Sequence, residues 1–179
     1  MAAAALLIGA SAAQAQGPEA LTPGKTSIAF SIPTSGSNSF GIWKQLTPTR
    51  ALGINAAVEY GRIDEDSGND RSEFAISLAP SMKWYRSLSR TVAPFIQGSA
   101  GVGYNRVVNE VGDQEIESDG FNVNASAGLG VDWFPLNSIS IGGFTGLRAA
   151  FGSFNNGNSD QTSALVRTFT SGLTMHIYF

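Results

Sequence analysis

The chain has 179 residues, 42% of them hydrophobic and only 14% charged, where soluble domains average about 25% charged residues; the length suits one domain. Its 21 glycines and 11 phenylalanines, at a mean hydropathy of +0.01, disperse the apolar residues and exclude both disorder and a long spanning helix beyond the N-terminus. Zero cysteines exclude a disulfide scaffold, one histidine leaves little room for zinc, and a net charge of −3 with a pI near 5.0 excludes the basic face of a nucleic-acid binder.

Residues 1–15 read MAAAALLIGASAAQA and end in the small-x-small triplet Ala13-Gln14-Ala15, the form that signal peptidase cuts. A signal peptide over 1–15 is expected, although no basic n-region precedes its apolar run. That run is too short for a bilayer-crossing helix, which takes about 20 residues. Residues 16–25 form a Pro- and Gly-punctuated periplasmic lead-in, expected to contact little, and the folded domain is expected over 26–179.

From Thr26 onward apolar residues recur at alternate positions, the signature of strands with two chemically different faces. The first run carries Ile28, Phe30 and Ile32 on one face; the second carries Phe40, Ile42 and Leu46, with Lys44 intruding. The third carries Leu52, Ile54, Ala56, Val58 and Tyr60; the fourth Phe74, Ile76, Leu78, Met82 and Trp84. Val92, Ile96, Ala100, Val102 and Tyr104 mark the fifth, and Phe121, Val123, Ala125, Ala127, Leu129, Val131 and Trp133 the sixth. Ile139, Ile141, Leu147, Ala149 and Phe151 mark the seventh, and Phe169, Leu173, Met175, Ile177 and Phe179 the eighth.

The links between these runs alternate in length. After the second, fourth and sixth come short ones, 47–50, 86–90 and 135–137; after the third, fifth and seventh come longer Gly-, Asn- and Asp-rich ones, 64–71, 109–119 and 154–161. The first outer link, 34–38, is short but polar. Short periplasmic turns and long outer loops predict an all-β fold, an eight-stranded antiparallel up-and-down transmembrane β-barrel.

A soluble barrel of the lipocalin type also alternates, but it turns a charged face to water. Here the opposing positions are Gly, Ser, Asn and Thr, which suit a narrow interior. Of the 14 acidic residues, ten fall in the outer links: Asp64, Glu65, Asp66, Asp70, Glu110, Asp113, Glu115, Glu117, Asp119 and Asp160. Arg106 and Arg167 phase outward near the loop ends. An aromatic girdle is expected from Trp84 and Trp133 at the turn side, joined there by Tyr85, Phe134 and Tyr178, and from Tyr60 and Tyr104 towards the loops.

Five charged residues, Glu59, Glu73, Lys83, Asp132 and Arg148, phase with the polar face and are expected to form an interior charge network. Within it Glu59 and Arg148 lie at similar heights on opposite strands and are expected to meet. No catalytic residue, cofactor or metal centre is expected. His176 is the only imidazole and reads as a satisfied interior histidine. The stretch 64–70, Asp-Glu-Asp-Ser-Gly-Asn-Asp, lacks the Gly and Glu placement of a calcium loop, so at most weak divalent-cation binding is expected at the acidic loops.

The eight-run pattern, the signal segment and the C-terminal stretch Thr174-Met175-His176-Ile177-Tyr178-Phe179 resemble the small outer-membrane β-barrel proteins of the OmpA/OmpX type. In that family a final aromatic with apolar residues at alternate preceding positions is the signal read by the outer-membrane assembly machinery. Leu173, Met175, Ile177 and Phe179 match it. The resemblance implies residence in the bacterial outer membrane, with its lipids and the assembly machinery as partners, and it carries no substrate information. The expected function is a non-enzymatic structural or surface-interaction role with a side-chain-filled interior. A narrow porin-like ion, water or solute channel is the alternative, and a lipid-modifying enzyme is the weakest reading.

Overall fold

The computed structural model describes residues 18–34, 37–63, 69–86, 88–111, 114–155 and 160–179. The expected signal peptide and most of the acidic stretch 64–70 lie outside these residues. A short 3-10 turn, Glu19–Leu21, precedes β1 (Thr26–Pro33), β2 (Ser39–Thr47), β3 (Arg50–Ile63), β4 (Asn69–Tyr85), β5 (Val92–Val111), β6 (Gln114–Leu136), β7 (Ile139–Asn155) and β8 (Asp160–Tyr178). Each strand pairs antiparallel with the next, and β1 pairs with β8 from Ser27↔Tyr178 to Pro33↔Gly172, so the sheet closes into a barrel. Closure leaves the ring without an open sheet edge, which a β-structure surrounded by lipid requires.

Alternation sorts the two faces as the sequence indicates. Ile28, Phe30, Ile42, Ile54, Ile76, Val102, Val123, Leu129, Ile141, Leu147 and Ile177 stand exposed on the outside, while Ser27, Ala29, Trp43, Ser81, Lys83, Asp132, Ser140 and His176 are buried within. A protein in water would hide the first group, so this surface faces hydrocarbon. Twelve residue steps separate Phe121 from Trp133 on β6. At about 3.3 Å per residue and a tilt of about 40°, they rise about 30 Å, enough to cross an apolar band about 25 Å tall. The eight residues of β1 rise only about 18 Å by the same geometry, so the wall is lowest at the β1–β2 hairpin.

Three features depart from the sequence reading. Strands run well into the links expected as loops: β5 continues to Val111 and β6 begins at Gln114, with pairing kept from Arg106↔Asp119 to Val111↔Gln114. An Arg106–Glu117 ion pair of 2.8 Å braces this extension, so Glu110, Glu115, Glu117 and Asp119 belong to strands.

Second, Gly146 pairs with Thr170 but Arg148 pairs with Arg167. Two residue steps on β7 are met by three on β8, a bulge that reverses the phase of β8 above it. Arg167 therefore shares the inner face with Arg148 and does not point outward. The Phe169 side chain lies outside what is described.

Third, the lead-in does not contact little. Ala20 and Leu21 are 1% and 2% exposed and join a buried cluster with Trp43, Ala51, Tyr85, Phe95, Phe134 and Tyr178. Gly24 makes this possible: its φ of 91° is a left-handed conformation that only glycine adopts without strain, and it turns the chain from the mouth into β1. The Gly24 N–H donates to the Gln45 carbonyl at 2.8 Å and the Asn137 amide donates to Glu19 at 2.9 Å, holding the segment on both sides.

Candidate functional site

The turn-end half of the barrel is filled by a polar core wrapped in rings. Lys83 on β4 and Asp132 on β6 are 1% and 0% exposed and pair at 3.0 Å. The Lys83 ammonium also donates to Nε2 of His176 at 3.1 Å, and the Tyr85 hydroxyl donates to Oδ2 of Asp132 at 2.9 Å. Nδ1 of His176 lies 3.1 Å from the Ser27 hydroxyl. Phe95 and Trp43 flank the ammonium, with ring centroids 4.2 and 5.5 Å away. His176 stacks on Tyr178 at 5.7 Å, and Trp43 meets the imidazole edge-on.

The sequence makes room for these bulky groups by placing small ones opposite. A Cβ at Gly53 would overlap the Trp43 indole, and one at Gly130 would overlap the Phe95 ring. Gly142 leaves space for the Asp132 carboxylate in the same way. The gap between Ser27, Trp43, Gln45, Ala51, Tyr85, His176 and Tyr178 is too small to hold a water molecule. Leu21 and Ala20 close the mouth beneath.

Above this lock the interior opens into a cavity of about 340 Å³. Its floor is Trp43, Lys83, Thr174 and His176. Its wall carries Asn55, Gln97, Ser99, Asn122, Asn124, Ser126 and Arg148. Asn55 accepts from the Trp43 indole at 3.2 Å and donates to Ser81 at 2.9 Å, while Ser99 and Ser126 bond across β5 and β6 at 2.7 Å. The Thr174 hydroxyl oxygen is buried and has no hydrogen-bond partner. The interior is therefore filled by side chains in its turn-end half and hollow above.

Of the five charges expected to form one network, the structure brings Lys83 and Asp132 together and leaves the other three apart. Glu59 stands exposed near the loop end and accepts from the Ser37 hydroxyl, so it does not meet Arg148. Glu73 lies 3.5 Å from Arg71. Arg148 lines the cavity wall. The height estimate failed because counting residues from each turn ignores the strand tilt, which offsets opposite sides of the ring.

Among the girdle residues Tyr60, Trp133 and Tyr104 are outward and exposed, and Trp84 is outward and half-buried. Tyr85, Phe134 and Tyr178, expected beside them, are buried inside. Their parity carries the signal: Tyr85 is in phase with Lys83, Phe134 with Asp132 and Tyr178 with His176. Trp43, Phe95 and Phe144 were missed for the same reason, since each is apolar in the polar phase. Leu173, Met175 and Ile177 stand exposed on the outer face of β8, and Phe179 is exposed just past its end.

No protein-family model matches the chain, and no curated protein matches it. Among solved structures it is similar to a major outer membrane protein from Thermus thermophilus, with a TM-score of 0.56 and 11% identity over 87% of this chain and 99% of that one. Ail, the attachment invasion locus protein of Yersinia pestis, aligns at a TM-score of 0.49 and 12% identity over 88% and 100%. The N-terminal β-barrel domain of Pseudomonas aeruginosa OprF aligns at 0.41 and 13% over 87% and 96%. The closed eight-strand ring, its hydrocarbon-facing outside and the likeness to the Thermus protein together give this chain the outer-membrane β-barrel fold.

Proposed function

We propose that this chain is a closed outer-membrane barrel whose role is structural and surface-interacting, and that it does not form a pore. The observation that carries this is the buried lock of Lys83, Asp132, His176, Tyr85 and Trp43, with Leu21 packed in the same buried cluster, which fills the turn end with side chains. Eight strands give an interior just wide enough for side chains to fill, and at the turn end they fill it. Short links at one end and tall hairpins at the other orient the hairpins outward, with the lead-in in the periplasm. The tall wall of β4 to β8 is then what the cell displays.

The reading is non-enzymatic. A serine hydrolase needs an accessible nucleophile and a base oriented by a third group. Ser27 and His176 are each 2% exposed, and the second imidazole nitrogen meets the Lys83 ammonium in place of a carboxylate. Leu173, Met175, Ile177 and Phe179 offer the assembly machinery an apolar ridge on the last strand.

Orientation and display are tested with single cysteines in this cysteine-free chain. Thr162→Cys on β8 should react with a membrane-impermeant maleimide on intact cells, and Thr49→Cys in the β2–β3 turn only after lysis. The reverse pattern, or labelling of both on intact cells, would overturn the orientation.

A further inference from the structure

We infer that the cavity above the lock is a binding cup for a small hydroxyl-rich oxyanion of about one sugar ring, held at Arg148 on the cavity wall, with Arg167, exposed and outside the lining, as its cross-strand partner. Register carries the first step. Arg148 on β7 and Arg167 on β8 are direct cross-strand partners, and such partners project from the same face with Cβ atoms about 5 Å apart. Like charges in that relation are destabilising. Among the described residues neither arginine makes a hydrogen bond or ion pair, and the carboxylates phased to this face are engaged elsewhere: Glu59 with Ser37, Glu73 with Arg71, and Asp132 with Lys83 and Tyr85. An oxyanion bridging two guanidinium forks would convert the repulsion into charge-assisted hydrogen bonds.

The cup itself carries the second step. Among the described residues no aspartate or glutamate lines it, Arg148 is its unneutralised charge, and amides and hydroxyls make up about half of its lining residues. Asn122, Asn124 and Ser126 stand on the strand beside Arg148, where they can take the hydroxyls of a ligand whose acid group sits on the arginine. The volume of about 340 Å³ sits at the small end of the range of roughly 300 to 1,000 Å³ for ligand pockets, which limits the occupant to one ring. The approach lies over the low β1–β2 hairpin, whose Ser31, Pro33, Ser37 and Ser39 also line the cavity.

Binding in the cup goes beyond closure of the barrel, and it stands or falls separately from conductance. Trp43 on the cavity floor is a built-in reporter, since Trp84 and Trp133 face outward. The full chain, folded in detergent micelles, is titrated with D-glucuronate, D-glucose 6-phosphate, D-glucose and acetate while tryptophan emission is followed. At least one of the two anionic sugars should saturate at a concentration tenfold or more below glucose and acetate, and the tighter of the two identifies carboxylate or phosphate as the acid group. Arg148→Gln and Arg167→Gln should each weaken that sugar about tenfold, towards the glucose level. Failure of both anionic sugars to saturate, acetate binding as tightly as they do, or unchanged binding in both glutamine variants would overturn the proposal. The ligand comparison uses the unaltered protein, so it decides the matter even if a variant misfolds.

Discussion

Two ion pairs of this barrel have similar lengths and very different consequences. Arg106–Glu117 spans 2.8 Å on the extended β5–β6 hairpin with both side chains nearly half exposed, so water and salt screen it and it contributes at most about 1 kcal/mol. Lys83–Asp132 spans 3.0 Å with both groups almost wholly buried. Removing one partner there strands the other in an apolar ring of Phe95 and Trp43, at a cost of about 3 to 5 kcal/mol. Lys83→Met and Asp132→Asn should therefore each destabilise the barrel by that amount in urea unfolding from lipid vesicles, and the double variant by clearly less than the sum. Additive losses would show that the pair is not coupled. The charges themselves were legible from alternation, which set Lys83 and Asp132 inside. Which of them meet was not, because partner choice depends on strand tilt and on the bulge in β8, and neither leaves a mark in hydropathy.

At the scale of the element, the lead-in and the strand ends behave differently from what their composition suggests. Residues 16–25 contain proline, glycine and threonine, the composition of a linker, yet a single leucine inside it fills the barrel mouth. Alternation has no meaning in a segment of one turn, so no periodic signal marked Leu21 as core. Leu21→Ala should lower barrel stability by about 2 to 5 kcal/mol, the range for emptying a buried leucine site, read in the same unfolding assay. A change within about 0.5 kcal/mol, as for a surface position, would mean that the segment is only resting there. The outer hairpins misled in the opposite sense: Glu, Asp and Asn at 109–119 read as loop, but cross-strand pairing continues through them because each extended strand has a partner already in register. Strand identity, by contrast, was plain, since each apolar run from Ile28 to Ile177 lands on the outer face.

For the whole molecule, one division organises the chain. The turn-end part of the ring's interior is a buried lock built from Lys83, Asp132, His176 and the aromatic residues in the polar phase; the part above is a hollow lined by amides and hydroxyls together with apolar residues. Composition indicated the outside of the barrel, because low charge and dispersed apolar residues have few other solutions, but it averages over this division of the inside. The two halves make opposing demands on a transport reading: the cavity has room for a small polar molecule, and the lock fills the way below it with side chains. A planar-bilayer recording of the purified full barrel tests closure most directly. The lock predicts a flat baseline without unitary current steps at either polarity, and reproducible single-channel steps from the unaltered protein would contradict it.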